Sequence, residues 1–327
     1  MENKDRLSIY SATWNMGGKV PSSNELRLLI PQEPKYDIYI IGTEECLTSI
    51  AKSIFKSVFK KITFTKNEDW ERLIMTQFDR LDYSLLYSKS SGATNVAVIV
   101  KRKIKEHFNF IYSTSVTAGI GNVVPNKGAV CIWFMYKKIS FLVVNMHLAA
   151  GKKNQEKRNE NFNRIMENIH FDHIDQIFKQ HLNYYYTKNS KEIISLFDCC
   201  IFMGDFNYRL DKDIDYVKSL LSVKNNYIGK EKEIIEKLIL FDQRKCNNTD
   251  LIQFHECPIT FLPTFKFVPG TDEYWFHSDN KLPGWTDRIL YKYNKDKVTF
   301  TPNKYTSIME MKISDHKPVL LDFLIEW

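Results

Sequence analysis

The stretch Cys199-Cys200-Ile201-Phe202-Met203-Gly204-Asp205-Phe206-Asn207-Tyr208-Arg209-Leu210 runs from an apolar segment into a glycine, an acid and, two residues later, an amide. A short apolar run bounded by glycine reads as a buried strand. The acid after it therefore stands at a strand end, where it either closes an Asx-turn or faces a ligand. An aspartate so placed can orient or deprotonate a water, and Asn207 can donate a hydrogen bond to developing charge.

Other segments repeat the arrangement. Residues 7–13, 36–41, 95–100, 129–136, 140–145, 287–293 and 317–324 have strand composition, and Lys137-Lys138 reads as a hairpin turn. Helical periodicity covers 155–169, 213–221 and 230–240, where Ile234, Ile235, Leu238 and Ile239 form one stripe. Many strands, few helices and no strict βα alternation imply an α+β fold, with sheets packed face to face and helices outside. Asn15, Glu45, His147 and Asp205 follow strands, whereas Asp287-Arg288 and Asp315-His316 open them. The finish of one strand lies beside the start of its antiparallel neighbour, so all six clusters are expected on one rim.

Glu45, after Ile40-Ile41-Gly42-Thr43-Glu44, is placed to hold a hard cation, with Glu44 competing for that role. His147 and His316 each adjoin an apolar strand beside a phosphate-compatible loop. Lys127 after Asn126, Lys266 and Arg288 bring cations near the proposed rim, suited to a substrate with several phosphates.

The 327 residues, 43% hydrophobic, contain no linker, repeat or low-complexity tract, so one domain over 1–327 is expected. Residues 1–6 have no signal-peptide core, and no apolar run approaches the ~20 residues of a membrane span. Six cysteines without C-x-x-C spacing read as reduced thiols of the cytosol. A net charge of +7 favours anionic partners without selecting among them. Residues 50–61 set Ile50, Ile54, Phe55, Val58 and Phe59 against Lys52, Lys56, Lys60 and Lys61; the stripe fits a helix packed on a sheet or one lying on an anionic bilayer.

Taken together, the strings resemble the inositol polyphosphate 5-phosphatase family of the DNase I-like endonuclease/exonuclease/phosphatase superfamily. The resemblance runs in order from Thr13-Trp14-Asn15 to Asp315-His316-Lys317-Pro318. G-D-F-N-Y-R-L (204–210), P-G-W-T-D-R-I-L (283–290) and S-D-H-K-P-V (314–319) carry it; N-M-H-L-A-A (145–150), N-K-G (126–128) and F-L-P-T-F-K-F (261–267) support it. It implies a four-layer α/β/β/α sandwich of two mixed sheets with outer helices. It also implies magnesium-dependent removal of the 5-phosphate from phosphoinositides or soluble inositol polyphosphates.

The roles implied are specific. Glu45 is the main magnesium ligand, with Asn15 close by. Asp205 activates water and Asn207 supports the transition state. His316, oriented by Asp287, and His147 contact the 5-phosphate, and Asp315 lies near the metal. Either Asp205 or His316 takes the water's proton. Lys266 and Arg288 match positions that touch a 4-phosphate, Asn126 and Lys127 those near a 1-phosphate, and Lys281 stands in a basic segment one residue short.

Departures from the family fall mainly on recognition. Gly42-Thr43-Glu44-Glu45 replaces G-L-Q-E and adds a second acid near the ion. Phe265 stands for a common tyrosine, Pro125 for a glycine and Gly151 for a histidine. A nuclease or sphingomyelinase would share Asn15, Glu45, Asp205, Asn207, Asp287 and His316, but a nuclease calls for a long basic track. A binding module without catalysis would lack one of Glu45, Asp205, Asn207 or His316. A cytoplasmic monomer in peripheral contact with anionic membrane, without a nucleic-acid partner, is therefore expected.

Overall fold

The computed structural model describes residues 5–31, 35–46, 66–78, 81–118, 127–172, 190–222, 229–245 and 251–327, together with 174, 176, 177 and 179. Asn126, Pro125, Cys246 and the amphipathic stretch 50–61 lie outside the described residues.

Two mixed sheets form the centre. One holds β1 (Arg6–Asn15), β2 (Ile38–Glu44), β3 (Tyr83–Ser91), β4 (Thr94–Lys101), β10 (Thr299–Ser307) and β11 (Val319–Glu326), in the order β10-β11-β1-β2-β4-β3. The other runs β5-β6-β7-β8-β9, from β5 (Phe108–Thr117), β6 (Gly128–Tyr136), β7 (Ile139–His147), β8 (Cys199–Asp205) and β9 (Asp287–Tyr293). The helices are α1 (Ser23–Leu29), α2 (Lys66–Met75), α3 (Gln155–Asn168), α4 (Ile214–Leu221) and α5 (Glu231–Leu238).

Side-chain alternation at period two builds the layers. On β1, Leu7 and Ile9 face the second sheet, while Tyr10, Ala12 and Trp14 face outward. On β8, Cys199, Ile201 and Met203 face inward, whereas Cys200 and Phe202 face outward. The outward set of the first sheet packs on Leu26 and Leu29 of α1 and on Trp70 and Ile74 of α2. That of the second packs on Phe162 and Ile165 of α3. The result is the four-layer sandwich expected from the sequence.

The ends are set locally. Ser22 caps α1 in a reciprocal box: its hydroxyl accepts from Glu25 N at 3.3 Å, and Glu25 accepts from Ser22 N at 2.8 Å. Asp213, read as the first residue of a helix, is the cap of α4 and accepts from Tyr216 N at 2.8 Å. Among the described residues, no helix is long and apolar enough to cross a membrane, and Cys46, Cys131, Cys199, Cys200 and Cys257 are free and buried.

Candidate active site

The inward face of the strands is apolar along most of its length and turns polar at one end. On β1 the inward series continues from Ile9 through Ser11 and Thr13 to Asn15; on β7 it runs from Val143 to Asn145 and His147. β2 ends inward on Glu44, β8 on Asp205, and β9 begins inward on Asp287. Strand register fixes these ends side by side. Asn15 pairs with Glu44, His147 with Asp205, and Asp205 with Asp287. The expected single rim is therefore present. Gly42 closes the polar end from below: a Cβ there would lie 2.6 Å from Met203 Cε and 2.7 Å from Asn145 Oδ1, so the sheets need glycine to approach this closely. Asn145 crosses the gap and donates to Asn95 O at 2.8 Å.

Above this floor lies a cavity of about 260 Å³, lined by Glu45, Lys127, His147, Asp205, Asn207, Arg209, Lys266, Lys281, Asp315 and His316, among others. Asp205 is 1% exposed. Its carboxylate accepts from Asn15 Nδ2 and from Asn207 N, both at 3.0 Å, and lies 3.3 Å from His147 Nε2. Burial alone would raise its pKa, but His147, His316 and Lys127 hold it well below the carboxylate range. It is ionised.

His316 is fixed from behind. Its Nδ1 lies 3.0 Å from Asp287 Oδ2, and that oxygen also accepts from Thr264 Oγ1 and Thr286 Oγ1, each at 2.8 Å. Burial opposes the charged imidazole, yet the Asp287 carboxylate, with Asp205 and Asp315, raises it to about 9. His147 goes the other way. Burial, together with the Lys127 charge, lowers it against the pull of Asp205, and its Nε2 contacts the Lys127 ammonium. Lys266 Nζ lies 2.6 Å from Asp315 Oδ2, which holds that lysine at the cavity wall.

The two neighbouring acids have separate fates. Glu44, inward on β2, is fully buried; its Oε1 accepts from Thr13 at 3.2 Å and its Oε2 has no partner. Burial, then Asp205 and Asp287, push its pKa well above the carboxylate range, so it is a neutral acid. The expected second negative charge near an ion is absent for that reason. Glu45 has a left-handed backbone (φ 51°), and its side chain, 44% exposed, opens into the cavity with Oε1 3.8 Å from His147 Nε2.

Oxygen donors at the mouth fit a hard divalent cation: the Glu45 carboxylate makes no hydrogen bond to a described residue, and Asp205 and Asp315 share its cavity. Asn15 holds its amide nitrogen on Asp205 and accepts from Gly17 N at 3.0 Å. Asp205, Asp287 and His316 bring ligand atoms within 4.8 Å of one another. Of these, His316 Nδ1 is engaged with the Asp287 carboxylate at 3.0 Å, so the proximity of this trio is accounted for by that ion pair.

Two expectations change. Arg288 does not reach the cavity. It follows Asp287 by one residue on β9 and so faces outward, fully buried, 2.6 Å from Asp242 and 3.2 Å from Glu256. Its role is corrected from a phosphate contact to a structural ion pair. Asn207 has one amide hydrogen on Leu148 O at 3.1 Å, and its oxygen accepts from Arg209 Nη2, so little of it is left for a ligand.

Arg209 and Asn280 line the cavity and were not singled out. Arg209 is 2% exposed, lies 3.9 Å above the Phe265 ring, and leaves Nε and Nη1 without partners. The spacing 205, 207, 209 is the signal that could have found it. Phe265 supports both Arg209 and the His316 ring, whose centroid is 4.4 Å away. Gly151 has φ 97°, and a Cβ there would sit 3.0 Å from Asn280 Oδ1, so a histidine would strain the backbone and displace the Asn280 amide.

Comparison with known proteins follows this geometry. The model of Endonuclease/Exonuclease/phosphatase family 2 matches residues 12–322, and the chain belongs to that family. Human phosphatidylinositol 3,4,5-trisphosphate 5-phosphatase 2 is 28% identical over 98% of this chain and 24% of its own length. A phosphatidylinositol 4,5-bisphosphate 5-phosphatase of Saccharomyces cerevisiae is 28% identical over 97% of this chain and 31% of its own. The chain thus spans about a quarter to a third of the length of these curated relatives. The inositol polyphosphate 5-phosphatase domain of SPsynaptojanin, solved in complex with inositol (1,4)-bisphosphate and a calcium ion, superposes with a TM-score of 0.75. It shares 25% identity, with 99% of this chain and 85% of that one covered.

Proposed function

We propose that this chain is a magnesium-dependent phosphatase that removes the 5-phosphate from phosphoinositides or soluble inositol polyphosphates, with residues 1–327 acting as one catalytic domain. One observation carries the reading: an ionised Asp205 and a protonated His316 share a single cavity with Glu45 at its mouth. The names of the relatives agree with it. A compact cavity ringed by Lys127, Lys266, Lys281 and Arg209 suits a headgroup bearing several phosphates better than a long nucleic-acid backbone.

The protonation states divide the work. Asp205 is the base: at neutral pH its carboxylate is free of a proton, whereas His316 holds one. Asp205 orients a water and takes its proton as the water oxygen attacks phosphorus. His316, with its Nδ1 engaged by Asp287, donates from Nε2 to a phosphoryl oxygen. Arg209, in the wall of the same cavity, adds its positive charge to the field around that anion. Glu45, with Asn15 beside it, would hold magnesium, which supplies charge to the oxygens that become negative as the phosphoester bond breaks. Lys266 and Lys281 bind the phosphates that are retained. Rim lysines bring the chain to an anionic membrane surface in the cytoplasm, as a peripheral monomer.

The test is phosphate release across a panel of soluble and lipid substrates, with and without magnesium. Asp205→Asn should lower turnover by about 10³-fold while leaving the thermal midpoint close to that of the parent. Release that is independent of magnesium, or a fully active Asp205→Asn, rules the reading out.

A further inference from the structure

We propose that the end of the sandwich opposite the catalytic cavity holds a second ligand site, built for a molecule carrying two or more phosphate groups close together. A cavity of about 470 Å³ opens there, larger than the catalytic one. It lies where β1 and β2 begin and where β4 and β11 finish, so the length of β1, about 30 Å for ten residues, separates the two. No residue lines both.

Its chemistry is one-sided. Arg6, Lys35, Lys101 and Lys103 line it against one carboxylate, Asp37. That carboxylate is already committed: it accepts from Ser8 N at 2.9 Å, Ser8 Oγ at 2.8 Å and Lys101 Nζ at 3.0 Å. Lys101 is thereby fixed and neutralised. Lys35 reaches Asp322 at 3.8 Å and lies 5.2 Å from the Tyr36 ring centroid, with 63% of its side chain exposed. Arg6 and Lys103 make no hydrogen bond or ion pair with a described residue.

Arg6 and Lys103, without partners among the described residues, and the loosely held Lys35 therefore line one hollow whose floor includes buried Leu7 and Tyr136. Lysine and arginine repel one another when gathered without a counter-charge, so exposed cations around one hollow leave a positive field that an anion would offset. A concave wall that gathers them favours an anion with several charges. A guanidinium and ammonium groups around one volume match neighbouring phosphates better than a single carboxylate. The volume falls in the usual range for small-molecule sites, roughly 300–1,000 Å³. Such phosphates are carried by soluble polyphosphates and by the headgroups of phosphoinositides alike.

Calorimetry in the presence of a chelator separates the two ends and does not depend on the proposed activity. A Lys127→Ala/Lys266→Ala chain, with the catalytic cavity weakened, is titrated with inorganic tripolyphosphate and, in a second arm, with vesicles of phosphatidylcholine containing 5% phosphatidylinositol 4,5-bisphosphate. One binding event should persist in at least one arm, and the responding arm tells a free ligand from a lipid headgroup. Adding Arg6→Gln/Lys103→Gln should weaken that event at least tenfold; both residues are exposed, so circular dichroism and the thermal midpoint should not change. Adding Arg6→Glu/Lys103→Glu should abolish it. Binding in neither arm, or an affinity that stays within twofold after the far-end replacements, overturns the proposal.

Discussion

Two buried charge clusters lie back to back on β9, separated by a single step along the strand. On the inward side, Asp287 holds His316 and accepts from Thr264 and Thr286; on the outward side, Arg288 binds Asp242 and Glu256. The outward cluster balances its charges within itself, although Asp242 Oδ2 and Arg244 Nε have no hydrogen-bond partner. Arg244 lies 2.9 Å from Glu256, the Tyr305 hydroxyl donates to Glu256 at 3.0 Å, and Arg288 Nε donates to Trp285 O at 2.8 Å. The inward cluster is open: His316 lines the cavity, and its Nε2 makes no hydrogen bond to a described residue. Equal burial therefore leads to different uses. A cluster matched within itself holds the fold, while one left short of a partner is ready to meet a ligand.

The comparison breaks most readily at Arg288. Arg288→Met leaves Asp242 buried without its cation, with Arg244 still on Glu256, and should cost about 3–5 kcal/mol in urea unfolding. Turnover per folded molecule should change less than twofold; a large loss at full stability would return Arg288 to the catalytic side. Thr264→Val/Thr286→Val tests the inward cluster from the opposite direction. It frees Asp287 to turn, so turnover should fall about tenfold while KM moves little, and serine at both positions should restore it.

A third measurement reads the inward charge directly. The folded-state pKa of His316 is raised to about 9, so its stabilising contribution is complete below the ordinary histidine value and fades as pH rises through 9. In chelator, the difference in thermal midpoint between the parent and His316→Asn should therefore be large at pH 6 and nearly gone at pH 10. A difference that grows with pH contradicts the charged assignment. The smallest effect is expected at Glu44. As this acid is already neutral, Glu44→Gln should leave turnover within about twofold and stability within ~1 kcal/mol. A marked loss of metal affinity from that change would mean the group is ionised after all.

The parts of the fold legible in the sequence were those with two buried faces. β1, β2, β4, β6, β7, β8, β9 and β11 announced themselves as apolar runs. β3, β5 and β10 did not, and all three are edge strands; β9, the fourth edge, was legible because its first four residues are buried. In β10, for example, Thr301, Pro302, Asn303 and Lys304 are exposed, so the apolar alternation that marks a strand is missing. Edge strands draw their stability from a neighbour's backbone rather than from their own side chains.

The site was legible where motif words met strand ends. Asn15, Glu45, His147, Asp205, Asp287, Asp315 and His316 do gather at one end. Arg288 was misplaced because adjacency in sequence was read as adjacency in space, although alternation alone sends it to the opposite face. Arg209 was overlooked for the converse reason, since its i+2 relation to Asn207 and i+4 relation to Asp205 was visible.

Glycine at position 42 bounds how far a ligand can descend. With no Cβ at this position, the main chain of β2 packs directly against the Met203 and Asn145 side chains, and the layer beneath the acids is closed. Any larger residue at 42 would have to prise the two sheets apart at the level where the acids stand.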